Sequence, residues 1–148
     1  MSYTKIIYHV IFSTYRRERT IFPEKEHDLH AYISGSITSK KGFVYSINGM
    51  DDHIHIVCDI PPTSSISETL KIIKQSSSKW AKESGFFPRW NGWEQGYSLF
   101  TCSYSSLKRV TDYVNNQKNH HHRMTFGEEL KCFFDEMKIE YDERYLPR

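Results

Sequence analysis

Two histidines stand two residues apart in the run Asp52-His53-Ile54-His55-Ile56-Val57. Along a strand, successive side chains point to opposite faces. His53 and His55 therefore share one face, and Ile54 and Ile56 share the other. The first face can hold a metal while the second is buried. Further along, in Tyr113-Val-Asn-Asn-Gln117, a tyrosine and a glutamine lie four residues apart, one turn apart on one helix face. Two imidazoles, an amide oxygen and a phenol can carry out metal-assisted phosphoryl transfer with the tyrosine as nucleophile. His53, His55 and Gln117 would hold the ion, and phosphate oxygens favour Mg²⁺ or Mn²⁺. A phenol titrates near ~10 and needs a neighbouring cation or base before it attacks. The same ion would polarise the phosphate. Attack would leave a covalent phosphotyrosine and a free sugar hydroxyl, so the reverse attack could rejoin a strand without ATP. On spacing alone the same residues also suit two half-exposed histidines and a structural tyrosine.

The elements that must position these residues can be read from periodicity. Residues 4–14 are rich in β-branched and aromatic types and predict a strand. Pro23 suits a first helical position, and Leu29, Ile33 and Ile37 then repeat at helical spacing up to Gly42. Phe43–Asn48 and His53–Ile60 predict two strands of a hairpin around Gly49-Met50-Asp51-Asp52. Ser65-Ile-Ser-Glu68 is a capping box opening a long helix that buries Ile66, Leu70, Ile73 and Trp80. Strand character resumes over Trp93–Ser103. Ser105 or Ser106 can cap the next helix, with Leu107, Val110 and Val114 inward and Tyr113 and Gln117 on one flank. Thr125-Phe-Gly-Glu128 caps a last helix whose apolar face is Leu130, Phe133, Phe134 and Met137. The order predicts an α+β, ferredoxin-like βαββαβ domain spanning residues 1–148. Its antiparallel sheet is followed by a tyrosine-bearing helix and a C-terminal helix. The first helices cover one face, and the histidine face is left open to a ligand or to the last helices.

The chain has 148 residues and a net charge of +2. Residues 126–148 carry seven acids and four bases, leaving a modestly basic body that suits an anionic partner. Arg16, Arg17, Arg19, Lys71, Lys74, Lys79 and Lys82 are candidate phosphate contacts, with solvated surface charge as the plainer account. Trp90 and Trp93 could stack on unpaired bases, although Trp93 also suits the core. Asp51 and Asp52 could orient the site from behind or simply make the turn. His120, His121 and His122 could hold a second metal but read better as exposed residues. Cys58, Cys102 and Cys132 form no CxxC pattern, and reduced, mostly buried cysteines are expected. No apolar run approaches ~20 residues and no secretory leader pattern is visible, so a cytoplasmic protein without a membrane span is expected.

Taken together, these motifs resemble the small single-tyrosine transposases of the HUH endonuclease superfamily, which mobilise minimal insertion sequences. REP-associated tyrosine transposases are close relatives of that group. DDHIHIV is similar to the family's His-hydrophobic-His strand, and YVNNQ to its tyrosine helix. YHVIFSTYRR, WEQGYSLFTCS and the exit NQKNHH…TFGEEL also match, so the resemblance runs from about Tyr8 to Leu130. It implies that Tyr113 is the nucleophile, that His53, His55 and Gln117 bind a divalent metal, and that the substrate is single-stranded DNA with hairpins at element ends. It also implies a 5′-phosphotyrosine intermediate and a homodimer, with the site completed within one subunit or between two. No organic cofactor is expected. Two rival expectations are a domesticated relative acting on chromosomal hairpins and a non-catalytic single-strand binder built on the same sheet. The second would place aromatics where this chain has histidines.

Overall fold

The computed structural model describes residues 1–121 and 123–147. His122 lies outside them. The chain forms β1 (Ile7–Ser13), α1 (Glu26–Ser39), β2 (Phe43–Gly49), β3 (His53–Asp59), α2 (Ile66–Ser84) and β4 (Ser98–Cys102). Then come α3 (Leu107–Asn115), α4 (Gln117–His120) and α5 (Phe126–Glu136). The strands make one sheet in the order β2-β3-β1-β4, with every adjacent pair antiparallel. This is the expected α+β ferredoxin-like arrangement, with the histidine strand β3 at its centre.

Alternation along the central strands divides the molecule into layers. Ile54, Ile56 and Cys58 of β3 join Val10 and Phe12 of β1 against Leu29, Ile33 and Ile37 of α1 and Leu70 and Ile73 of α2. On the opposite face, Ile11 packs with Phe100, Phe126 and Leu130, and Ile7 and Val57 pack with Val114. The last helices therefore cover the histidine face, which is not open. The β2–β3 hairpin is tight at Gly49, where any Cβ would collide with the His53 carbonyl oxygen.

Several expected boundaries shift for local reasons. Pro23 falls in the turn before α1, which starts at Glu26. The Ser65 hydroxyl accepts the Glu68 N–H and opens α2, which ends on Gly85 in the left-handed region (φ 75°). β4 is shorter than Trp93–Ser103, and Trp93 makes only an isolated bridge to Thr14. Trp93 and Trp90 donate to Ser77 (2.9 Å) and Ser78 (3.1 Å), which fixes both half-buried indoles against α2. The helix expected to run through Tyr113 and Gln117 breaks at Asn116, between α3 and α4. There Asn48 of β2 donates to the carbonyls of Val114 and Asn115 at 3.1 Å each, taking up acceptors that another helical turn would use. Met137 caps α5 and is exposed instead of sharing its apolar face. Of the cysteines, only Cys58 is buried; Cys102 is half-buried and Cys132 exposed.

Candidate active site

His53 and His55 project from β3 into the layer between the sheet and α3–α5. Their relative exposures are 1% and 0%, with Gln117 at 0% and Glu129 at 1%, so the cluster is closed to solvent. One ligand atom each from His53, His55 and Glu129 lies within 4.8 Å of the others. Glu129, on the first turns of α5, is the hub. Its Oε1 lies 2.9 Å from His55 Nε2, 3.3 Å from His121 Nε2 and 3.6 Å from His53 Nε2. Its Oε2 accepts from Gln117 Nε2 at 2.8 Å and from the Tyr113 hydroxyl. The four residues singled out by spacing thus converge within one chain, despite the break at Asn116. The Asn116 turn carries Gln117 inward while Tyr113 remains half-buried at the rim.

Each imidazole is held from behind. Asp52 Oδ1 lies 2.7 Å from His53 Nδ1, and His9 Nε2 lies 2.8 Å from His55 Nδ1. Such partners fix which ring nitrogen faces a ligand. Asp52 accepts the Nδ1 proton, so a neutral His53 presents the lone pair of Nε2. That lone pair faces Gln117 Oε1 at 3.2 Å. Two acceptors at this distance need a positive charge between them, a proton or a metal ion. Flipping the amide would only move the conflict onto Glu129. Two nitrogens, an amide oxygen and a carboxylate suit a divalent transition metal, and the oxygen share admits Mn²⁺ or Mg²⁺. The donor set therefore fits the implied ion.

Electrostatics follow from burial. Burial alone would raise the Glu129 pKa. Hydrogen bonds from His121 and His55 outweigh it and hold the carboxyl well below the usual range. Burial, then the adjacent Glu129 charge, pushes the Tyr113 phenol well above its ordinary value. Burial also keeps His55 below its ordinary value, against the pull of Glu129. Asp52 is lowered despite burial, through His53 and the charge of Arg17.

The remaining candidates divide. Arg17 Nε lies 3.5 Å from Asp52 Oδ2. Its backbone and that of Arg16 lie in the left-handed region (φ 54° and 52°). This conformation costs about 1–2 kcal/mol per non-glycine residue. It is held by Tyr15 N–H on the Gly92 carbonyl and Arg16 N–H on Glu94, and it turns Arg17 toward the site. Arg17 and Arg19 line a 440 Å³ cavity beside Asp52 and His121. Lys71, Lys79 and Lys82 line a 680 Å³ groove between α2 and the Trp93–Tyr97 segment, on the sheet's other side. Lys74 is tied to the carbonyls of Glu94 (2.7 Å) and Gly96 (2.5 Å), so its ammonium is a structural clamp rather than a free phosphate contact. Asp52 orients His53 and is more than a turn residue. His121 joins the first cluster, its ring 4.6 Å from that of His53; His122 of the same run lies outside the described residues. Spacing does not single out Glu129: its only trace in the sequence is the capping box, which puts it in the first turn of α5 without indicating which way it faces.

Comparison with known proteins gives a consistent family. Residues 2–117 match the family described as "Transposase IS200 like". The transposases for insertion sequence element IS200 of Salmonella typhimurium (strain LT2) and Salmonella typhi are each 24% identical over 115 residues. Each alignment covers 74% of this chain and 75% of the relative. Two solved structures share the fold. A proposed transposase from Deinococcus radiodurans R1 has a TM-score of 0.61 and 23% identity, covering 78% of this chain and 93% of that one. A REP-associated tyrosine transposase bound to a REP hairpin has a TM-score of 0.62 and 13% identity, covering 82% of this chain and 72% of that one. Among the described residues no helix is long and apolar enough to cross a membrane.

Proposed function

The chain belongs to the IS200-like transposase family, and from that premise we propose that it cuts and rejoins single-stranded DNA at hairpin-bearing ends through Tyr113. His53, His55 and Gln117 would hold Mg²⁺ or Mn²⁺, with Glu129 as a further carboxylate donor. The observation that carries this reading is the shared carboxylate: Tyr113 and Gln117 both donate to the Glu129 group that faces both imidazoles. When bound, the ion would polarise the scissile phosphate as a Lewis acid. Tyr113 Oη attacks phosphorus, the bond to the 3′ oxygen breaks, and the leaving oxygen gains a proton to become a 3′-hydroxyl. The DNA 5′-phosphate is then on the tyrosine. Glu129 already accepts the phenolic hydrogen bond and orients Oη; the phenol pKa, which burial and the Glu129 charge otherwise hold high, would be lowered by a bound cation. Reversal by an incoming 3′-hydroxyl restores Tyr113 and the DNA bond.

Convergence of all four groups in one chain favours a site completed within a subunit, whether or not two subunits associate. The REP-hairpin complex of the structural relative supports hairpin DNA as the partner class. Arg16, Arg17, Arg19, Lys71, Lys79 and Lys82 are assigned to the DNA backbone. The decisive test incubates protein with a hairpin-bearing single strand and Mn²⁺ or Mg²⁺, then looks for a covalent adduct on a denaturing gel. Wild type forms the adduct and Tyr113→Phe does not. An adduct with Tyr113→Phe would remove the assigned nucleophile.

A further inference from the structure

Tyr113 faces two environments. Its hydroxyl turns into the buried cluster, while its ring forms part of the wall of a 410 Å³ cavity on the outer side. His120 stacks on that ring at 4.3 Å between centroids and 23° between planes, and Phe133 meets it edge-on at 5.5 Å. Val110, Met124, Cys132, Arg109, Arg123 and Glu136 complete the lining. We infer that this cavity holds the nucleotide whose 5′-phosphate Tyr113 takes, and that it reads that nucleotide's base. The inference rests on the tyrosine-nucleophile reading above.

Three features favour a nucleotide. The walls offer flat aromatic and thioether surface, which an unstacked base can use regardless of its hydrogen-bonding edge. His120 Nε2 has no hydrogen-bond partner among the described residues, so a small rotation of the ring would offer an unpaired imidazole nitrogen to a base edge. The rim carries two arginines against one carboxylate, Glu136. Arg109 is held only loosely by Glu136 at 3.7 Å, and Arg123 has no carboxylate within 4 Å among the described residues. Position argues the same way. With the phosphate drawn toward the imidazoles, the nucleoside it carries extends past the Tyr113 ring, whose outer side lines this cavity. Arg123 and Met124 also line the neighbouring 440 Å³ cavity, where Arg17 and Arg19 lie. A strand leaving the first cavity therefore meets Arg17 and Arg19, among the acidic side chains of Asp51, Asp52 and Glu128.

The test pairs a substrate change with a protein change. One hairpin-bearing oligonucleotide is intact, and its twin is abasic at the nucleotide immediately 3′ of the scissile phosphate. Single-turnover adduct formation is measured with wild type and with Met124→Trp, which fills the cavity; Val110→Phe fills the same space if the first variant folds poorly. Wild type should lose roughly 10- to 100-fold on the abasic strand. Met124→Trp should be slowed by a similar factor on the intact strand and lose nothing more on the abasic one, because both changes delete the same contact. Equal rates of wild type on both strands would overturn the inference while leaving the nucleophile in place. So would the same abasic loss in the filled variant. Absence of adduct from wild type on either strand would overturn the reading beneath it as well.

Discussion

A carboxylate with 1% of its surface exposed is costly to bury unless its lone pairs are used, and Glu129 uses them on Tyr113, Gln117, His55 and His121. Glu129→Gln keeps the shape but removes the charge. It should weaken Mn²⁺ binding by about 10- to 100-fold in calorimetry. The histidines set a second expectation. Burial, then nearby positive charge from His55 or Lys118, holds His9 down to about 3 and His30 down to about 4. Both are neutral in the native protein, whereas unfolded histidine titrates near ~6.5. Below that pH the unfolded chain takes up protons that the native state refuses. Stability should therefore fall with pH by about 1.4 kcal/mol per unit for each such histidine. Asp52 and Glu129, held low, lose their contribution only below the ordinary carboxylate range, so the window from pH 6.5 to 4.5 isolates the histidines. Urea midpoints across that window check the slope, and His30→Leu should reduce it. His53, His55, Tyr113 and Gln117 could be found from spacing because each sits on a regular element. Glu129 could not, because its meaning depends on where a separate helix docks.

At the scale of elements, α5 closes the site. It brings Glu129 and Phe126, whose ring stacks 4.0 Å from that of His53. His53→Ala would thus empty packed space instead of clearing an open face. The helix starts with Thr125 accepting the Glu128 N–H at 3.1 Å. Thr125→Ala should cost about 1 kcal/mol, seen as faster amide exchange in residues 126–130. Exchange unchanged there would show that docking, not the cap, holds the helix. The capping boxes of α2 and α5 were legible because they are local. The break between α3 and α4 was not, because the Asn48 amide that causes it comes from a strand remote in sequence.

The whole molecule places its charges on both sides of one sheet. The arginines lie beside the cluster, and Lys71, Lys79 and Lys82 line the groove along α2 behind it. If the groove carries DNA backbone, replacing these three lysines by glutamine should make the plot of log affinity against log salt shallower by about 2–3. An unchanged slope would make them solvated surface charge. The layered architecture was legible from the order of strands and helices. The closure of the histidine face was not, since the apolar stripe of α5 does not say which surface it covers.

The central strand β3 has a further consequence for error. Moving it by one residue would send both isoleucines toward Glu129 and drive both imidazoles into the aliphatic layer, where nothing could pair with them. A chain that mis-threads this strand would lose its solidity and its chemistry together, so within β3 a change of register damages both at once.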